Sequence, residues 1–123
     1  MIKIVIPAKT IPKKNSQQII VNPRTHRPMV IQSKNYLAFE KQCKEYLKDY
    51  KLKIDYPINL KCTFYVPDRR KRDIVNLLNA IQDILTKYEV IEDDNYNIIA
   101  SIDGTSIIYE KGREETIIEI EKV

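Results

Sequence analysis

The stretch "INLKCTFYVPDRRKRDIVNLLNAIQDILTK", residues 58 to 87, predicts a strand followed by a helix. Every second residue of its first part is apolar, which is the two-residue period of a strand with one buried face. After the break at "DRRKRD", apolar residues recur at helical spacing, and Asp73 is a natural N-cap for a helix from Ile74 to Lys87. We therefore expect a strand and an amphipathic helix that packs on the sheet containing that strand.

The segments on either side extend this pattern. Residues 2–7, "IKIVIP", predict a first strand, and residues 17–33 predict a basic hairpin with its turn at "NPRT". Ser33 offers an N-cap to a second amphipathic helix over residues 34–50. Residues 97–123 predict two or three further strands, separated by the turn signals "DG" and "KG".

Length and composition are those of one globular domain. The chain has 123 residues, of which 43% are hydrophobic and 31% charged, and its net charge is +4. We expect one α+β domain over residues 1–123, in which two amphipathic helices pack on a mostly antiparallel or mixed sheet in two layers. The net positive charge favours a polyanionic partner without proving one.

The cysteines and the N-terminus indicate a cytoplasmic protein. Cys43 and Cys62 lie at apolar positions of their segments, as buried free thiols do in a reducing compartment. The sequence has neither the pattern of a signal peptide nor a stretch of transmembrane length. We therefore expect no membrane partner.

Carboxylates are the catalytic groups that the sequence offers. The single histidine, His26, lies in the hairpin turn, and no serine or cysteine nucleophile pairs with it. Aspartates are ligands for Mg²⁺ and Mn²⁺, ions that can activate water and stabilise charge on a phosphate. Asp73 precedes the second helix, and Asp93 and Asp94 follow it. The simpler interpretation is a helix cap and an acidic turn.

Basic residues next to Asp73 indicate an anionic partner. The run from Arg69 to Arg72 precedes a helix N-terminus, whose dipole favours phosphate. A solvated loop is the alternative explanation for such a run. Binding through phosphates would read the shape of the partner more than its sequence and would weaken with salt. The family resemblance described next implies that this partner is DNA, and the expected DNA-binding residues are then Lys13, Lys14, Arg24, Arg27, Arg69, Arg70, Lys71 and Arg72.

The segment "PDRRKRDIVNLLNAIQDILTKYEVIEDDN", residues 67–95, resembles the signature of the RusA family of Holliday-junction resolvases. That signature combines a basic run, D-x-D-N-L-x-K, a helix with an aspartate, and a closing pair of aspartates. The segment "IPAKTIPKKNSQ" is similar to the family's first strand and the loop after it. The resemblance implies a small homodimeric endodeoxyribonuclease of DNA recombination and repair, common in phages and prophages. It implies Mg²⁺ or Mn²⁺, no small-molecule cofactor, and four-way or branched DNA as the substrate.

The resemblance also assigns the residues of the site. The implied catalytic residues are Asp73, Asp83, Asp93 and Asp94. Among them, the implied metal ligands are Asp73, Asp83 and Asp94. The asparagine of the motif falls on Asn76, and Asn15 lies in the N-terminal loop; both are implied supporting residues.

Two positions depart from the signature. Val75 replaces the second aspartate of D-x-D-N, and Asn79 replaces the lysine of N-L-x-K. One interpretation is a catalytically impaired protein that binds DNA junctions. Another is a variant endonuclease whose ligand set draws on Asp83, Glu92 or Asp103, which the intact acidic framework favours. A small RNA-binding domain with a similar sheet is a third, with little support from the sequence.

Helix length constrains the site. A helix over residues 74–87 is about 21 Å long, and the six residues after it span roughly 20 Å if fully extended. Asp94 then just reaches Asp73 in its own chain; otherwise it meets Asp73 of a second copy at a dimer interface. Asp83 lies about 15 Å along the helix from Asp73, so we expect it beside Asp93 or shared across an interface. A homodimer would present two equivalent sites to a four-way junction.

Overall fold

The computed structural model describes residues 1–13 and 17–123. In chain order the elements are β1 (Ile2–Ile6), β2 (Gln17–Val21), β3 (Pro28–Gln32), α1 (Lys34–Leu47), β4 (Ile58–Val66), α2 (Ile74–Lys87), β5 (Ile99–Ser101), β6 (Ser106–Tyr109) and β7 (Glu115–Lys122). Two helices and a sheet confirm the predicted α+β class. Within the described residues, neither helix is long and apolar enough to span a bilayer.

The strand predicted at residues 58–66, β4, is central in the main sheet. It pairs antiparallel with β7, from Ile58 opposite Lys122 to Tyr65 opposite Glu115. On its other edge it pairs parallel with β5 near its start and with β6 near its end. β1 pairs antiparallel with β7 on the far side of that strand. The sheet is therefore mixed.

The parallel pairing has a topological cause. After β4 the chain passes through α2 and re-enters the sheet at β5. A crossover through a helix returns the chain in the same direction, so the next strand pairs parallel with the first. This crossover puts the two ends of α2, and the segments that precede and follow it, at opposite ends of β4.

The core lies between the main sheet and the two helices. The alternating residues of β4 that the sequence pattern predicts to be internal are all buried: Ile58, Leu60, Cys62, Phe64 and Val66. The residues that α2 buries include Leu77, Leu78, Ile81, Ile84 and Leu85. Those of α1 are Tyr36, Phe39, Cys43 and Leu47. Burial of apolar surface, at about 25 cal/mol per Å², is the main stabilising term for such a core.

The first helix is shorter than its apolar pattern suggests. The Ser33 side chain caps α1 by accepting a hydrogen bond from the N–H of Tyr36 at 3.2 Å, as predicted. The helix ends at Leu47 rather than at Tyr50. The N–H of Tyr50 donates to the carbonyl of Leu47 at 2.9 Å, and this tight turn ends the helix.

A buried pair of threonines holds the N-terminal loop against the sheet. The hydroxyls of Thr10 and Thr116 are 2.7 Å apart, and the Thr116 hydroxyl lies 2.9 Å from the carbonyl of Ala8 and donates to it. Both threonines are buried. The loop is therefore fixed just before Lys13, a residue that belongs to the candidate site.

β2 and β3 form a separate two-stranded hairpin, as the sequence predicts. At its turn the Asn22 side chain accepts a hydrogen bond from the N–H of Arg24 at 2.8 Å, which is an Asx turn. The turn exposes Arg24, His26 and Arg27. Two strands alone are only marginally stable in water, so the hairpin depends on the rest of the protein for its stability.

Candidate functional site

A cavity of about 520 Å³ lies between α1 and α2, next to the turn that carries the closing aspartates. It is lined by Lys13, Tyr36, Leu37, Glu40, Asp83, Thr86, Lys87 and Asp94. Four parts of the chain contribute to this lining: the N-terminal loop, both helices and the turn after α2. Three carboxylates and two ammonium groups thus share one concave surface.

The chain after α2 is fixed before it reaches the aspartates. Val90 and Ile91 are buried. The N–H of Ile54 donates to the carbonyl of Val90 at 3.1 Å, and the N–H of Glu92 donates to the carbonyl of Ile54 at 3.0 Å. This small bridge to the segment before β4 sets the path on which the following turn begins.

Asp93 and Asp94 have different surroundings within that turn. The Asp93 carboxylate accepts hydrogen bonds from the N–H of Asp94 at 2.7 Å and from the side-chain amide of Asn95 at 3.2 Å. Asp93 therefore shapes the turn. Asp94 faces the cavity, where burial, the Asp93 carboxylate and the charge of Asp83 raise its pKa above the ordinary value. Asp83 and Asp94 form a pair of like charges that a cation would stabilise.

Two lysines stand beside the carboxylates of the cavity. The Nζ of Lys13 lies 3.7 Å from Oδ2 of Asp83, with both side chains partly exposed. Lys87 of α2 forms an ion pair with Glu40 of α1, which joins the two helices across the cavity. The Glu40 side chain is only 13% exposed. It is therefore the most buried of the three carboxylates that line the cavity.

Tyr36 contributes a buried hydroxyl to the same cavity. The residue is 1% exposed, and its hydroxyl has no hydrogen-bond partner among the residues that the structure describes. Burial raises the pKa of this phenol, and the negative charges of Glu40 and Asp83 raise it further, as does the position of the Glu40 carboxylate as a neighbouring hydrogen-bond acceptor. The phenol is therefore neutral and available as a donor.

Asp73 lies outside this cavity. Its carboxylate accepts hydrogen bonds from the N–H groups of Val75 at 2.9 Å and Asn76 at 3.4 Å, and so caps α2. Asp83 is ten residues further on, about 15 Å along the helix. Within one chain, Asp94 therefore shares its cavity with Asp83, whereas Asp73 is not among the residues that line it.

The two departures from the signature lie on the same helix face as Asp83. Val75, Asn79 and Asp83 are four residues apart, a spacing that aligns side chains along one side of a helix. Val75 is 58% exposed, and Asn79 is exposed. This face therefore carries an apolar and a neutral side chain near its start, and its carboxylate two turns later.

The basic loop before α2 is more ordered than a solvated run of charges. A guanidinium nitrogen of Arg72 donates to the carbonyls of Asp68 and Arg70, and it lies 2.9 Å from the Asp68 carboxylate. The guanidinium of Arg69 stacks 4.8 Å above the ring of Tyr109. The side chains of Arg70 and Lys71 are exposed. Arg72 thus shapes the loop, and Arg70 and Lys71 are the cations it presents.

Sequence comparison identifies the family. A family model described as "Endodeoxyribonuclease RusA" matches residues 7–121. The chain belongs to the RusA family. A curated relative from Aquifex aeolicus (strain VF5), named "Crossover junction endodeoxyribonuclease RusA", is 43% identical over 67 residues. That match covers 54% of this chain and 51% of the relative, so the two are aligned over about half of each length.

The remaining predicted residues of this RusA-family chain are dispersed. Lys14 and Asn15 lie outside the described residues. Arg24 and Arg27 are exposed in the hairpin turn, and Asn76 is partly buried in the first turn of α2. Their predicted roles in DNA binding and in support of the site stay predictions.

The alternative ligands considered from the sequence lie elsewhere. Glu92 lines a separate cavity together with Asp55 and Glu89. Asp103 lies in the turn after β5, where its N–H donates to the side chain of Asn59 at 2.8 Å. Over residues 1–13 and 17–123, no three histidine, cysteine, aspartate or glutamate side chains form a ready-made metal cluster. Of the signature aspartates, Asp83 and Asp94 line one cavity.

Sequence reasoning did not find Tyr36, Glu40 and Lys87 as site residues. The helical spacing of apolar residues places Tyr36 on the buried face of α1, and it is buried there. One signal was available: Glu40 follows Tyr36 by four residues, so a carboxylate lies on the inward side of an amphipathic helix. A carboxylate in that position needs a partner, which Lys87 supplies.

Proposed function

We propose that this RusA-family protein is a metal-dependent endodeoxyribonuclease that resolves Holliday junctions and other branched DNA by paired nicks. The observation that carries the proposal is the pair Asp83 and Asp94 in a cavity that also holds Lys13. The relative named a crossover junction endodeoxyribonuclease supports it through the 67 aligned residues. The proposal includes a cytoplasmic location, a part in DNA recombination and repair, and a phage or prophage origin.

The donor set suits a hard divalent cation. Mg²⁺ commonly binds through one or two carboxylates and takes its other ligands from water and substrate phosphates. Asp83 and Asp94 supply two such carboxylates, and burial, together with the neighbouring carboxylates of Asp93 and Asp83, raises the pKa of Asp94. Mg²⁺, or Mn²⁺ in its place, would activate water and stabilise charge on a phosphate.

The chain's own residues have separable tasks in this proposal. Asp83 and Asp94 hold the cation, and Asp93 keeps the turn in shape through its two hydrogen bonds. Lys13 lies close enough to Asp83 to contact a phosphate at the same place. Arg70 and Lys71 extend the phosphate contacts away from the site.

Asp73 enters the proposed site through a homodimer. In its own chain it caps α2, about 15 Å along the helix from Asp83. Asp73 of a second copy would complete the ligand set if the start of one α2 helix packed near the cavity of the other copy. A two-fold dimer presents two equivalent sites, which suits paired nicks in opposed strands of a junction.

A junction-binding protein with impaired catalysis is the second candidate. The observation that favours it is the exposed helix face on which Val75 and Asn79 replace the aspartate and lysine of the signature. The basic loop and the hairpin turn would still bind phosphates in such a protein. Binding would then remain while hydrolysis was lost.

Cleavage of a synthetic four-way junction in Mg²⁺ and then in Mn²⁺ tests the proposal. Asp94→Asn and Asp83→Asn should abolish paired nicks, while Asp49→Asn, an exposed aspartate after α1, should leave them unchanged. A linear duplex serves as the substrate control. Tight junction binding without cutting in either metal would reject the nuclease in favour of the binding protein.

A further inference from the structure

The Tyr36 hydroxyl has no role in the packing of the core. The side chain is 1% exposed and lines the cavity between α1 and α2, and its hydroxyl is without a hydrogen-bond partner among the described residues. A buried hydroxyl that makes no hydrogen bond destabilises the fold. A phenylalanine would fill the same space without that cost, so packing alone does not account for the phenol.

The surroundings of the hydroxyl are acidic. Glu40 lies one helical turn after Tyr36; its carboxylate is a neighbouring acceptor for the hydroxyl and is held by the ion pair with Lys87. Asp83 approaches from α2, and its charge acts on the phenol. Both neighbours can only accept hydrogen bonds when ionised, and the neutral phenol can donate one.

The two carboxylates differ in their freedom to move. Glu40 is almost buried and tied to Lys87 across the helices. Asp83 is 42% exposed, and its contact with Lys13 is long, at 3.7 Å. Asp83 is therefore the carboxylate that can turn from a lysine towards a bound cation at little cost.

We propose that Tyr36 is a positioning residue for the divalent cation: its hydroxyl donates a hydrogen bond to the Asp83 carboxylate when Asp83 and Asp94 bind the ion. The inference rests on the proposed function, in which these two aspartates are the ligands. Before the ion binds, Glu40 is the neighbouring acceptor for the phenol, and its own charge is already paired with Lys87. When Asp83 turns towards the cation, it leaves Lys13. The Lys13 ammonium then becomes free to bind a phosphate.

Tyr36→Phe isolates the hydroxyl, since it removes one oxygen and keeps the ring. Groups that hydrogen-bond a metal-ligating side chain typically change metal affinity about 10–100-fold when removed. We therefore expect Mn²⁺ to bind the DNA-free variant about 10–100-fold more weakly, measured by electron paramagnetic resonance of free Mn²⁺. Tyr46→Phe is the matched control, because Tyr46 lies on the same helix and is 40% exposed. It should bind Mn²⁺ as the unmodified protein does.

Kinetics and a double variant separate positioning from structure. With junction DNA, Tyr36→Phe should raise the Mn²⁺ concentration for half-maximal cleavage while kcat at saturating Mn²⁺ stays close to that of the unmodified protein. Adding Tyr36→Phe to Asp83→Asn should cause no further loss of Mn²⁺ affinity, because the phenol acts through Asp83. Thermal unfolding of Tyr36→Phe should show no loss of stability.

Three outcomes distinguish the two proposals. If the protein cuts junctions and Tyr36→Phe binds Mn²⁺ as tightly as the control, the positioning role is wrong and the nuclease stands. If Mn²⁺ binds and depends on both Asp83 and Tyr36 but junctions stay intact, the positioning role stands and the nuclease is wrong. If Mn²⁺ does not bind the unmodified protein, the inference is overturned as well.

Discussion

Asp94 lies beside Asp83 in the cavity between the two helices, whereas Asp73 caps the start of α2 about 15 Å away along the helix. Three aspartates of one sequence motif are thus divided between two places in the chain. Within one chain, two of these aspartates line the cavity, and Asp73 is not among its lining residues.

Burial of the ionised Asp94 carboxylate, together with its carboxylate neighbours, should lower the stability of the metal-free protein. The pKa of Asp94 is raised above its ordinary value of 3.8, so the folded state holds its proton more tightly than the unfolded state does. Stability therefore falls as pH rises from about this value through the raised pKa. At pH 7 without metal, Asp94→Asn should raise the melting temperature, with a gain in the free energy of unfolding of no more than about 0.5 kcal/mol because Asp94 is exposed. A lower melting temperature than the unmodified protein at pH 7 would contradict this account.

Divalent cations should raise the stability of the folded protein. A ligand that binds only the folded state stabilises it, by about 2.7 kcal/mol at one hundred times its Kd. Mg²⁺ or Mn²⁺ should therefore raise the melting temperature of the unmodified protein, as measured by differential scanning fluorimetry. Asp83→Asn should remove the increase, and Asp49→Asn should keep it. An equal increase in all three proteins would show that the ion binds elsewhere.

The basic loop should contain residues of two kinds. Arg70→Ala and Lys71→Ala should weaken junction binding, and each should reduce the salt dependence by about one counterion, because these exposed cations contact phosphates. Arg72→Ala should instead destabilise the loop, since its guanidinium donates to two carbonyls and pairs with Asp68. Lys51→Ala, another exposed lysine, is the control. Fluorescence anisotropy over a salt series measures these effects, and an unchanged salt slope for Lys71→Ala would exclude its phosphate contact.

The two thiols should be unreactive in the folded protein. Burial raises the pKa of Cys43 and of Cys62 to about 12, and both side chains are buried without exposed surface. At pH 8 a disulfide reagent such as dithionitrobenzoate should modify neither thiol until the protein opens or unfolds. In guanidinium chloride both should react at once. Rapid modification of the native protein would place at least one cysteine outside the core.

Restoring the signature aspartate tests the impaired-catalysis alternative. Val75 is 58% exposed in the first turn of α2, so Val75→Asp removes no core packing and adds a charge that the helix dipole favours by about 0.3–1 kcal/mol. If Asp83 and Asp94 suffice, junction cleavage should change only a few-fold while stability rises slightly. A gain of several orders of magnitude in the single-turnover rate would mean that the natural site lacks a ligand.

Local patterns predicted much of the fold. The alternation in β4, the bounds of α2 and the hairpin turn at Asn22 all depend on interactions between residues fewer than five positions apart. Such interactions can be read from sequence because they involve one strand face, one cap or one turn at a time. The end of α1 was misjudged since apolar spacing continues to Tyr50 although the backbone turns after Leu47.

The sequence by itself determined the α+β class, the position of the acidic and basic residues along the chain, and the resemblance to the RusA family. Only the tertiary structure decided that Asp94, Asp83, Tyr36 and Glu40 line one cavity. The path of the chain after α2 depends on its bridge to Ile54, and the cavity depends on how α1 packs beside α2. These contacts join residues roughly forty positions apart, and their free energy comes from burial across elements, which no local pattern of side chains records.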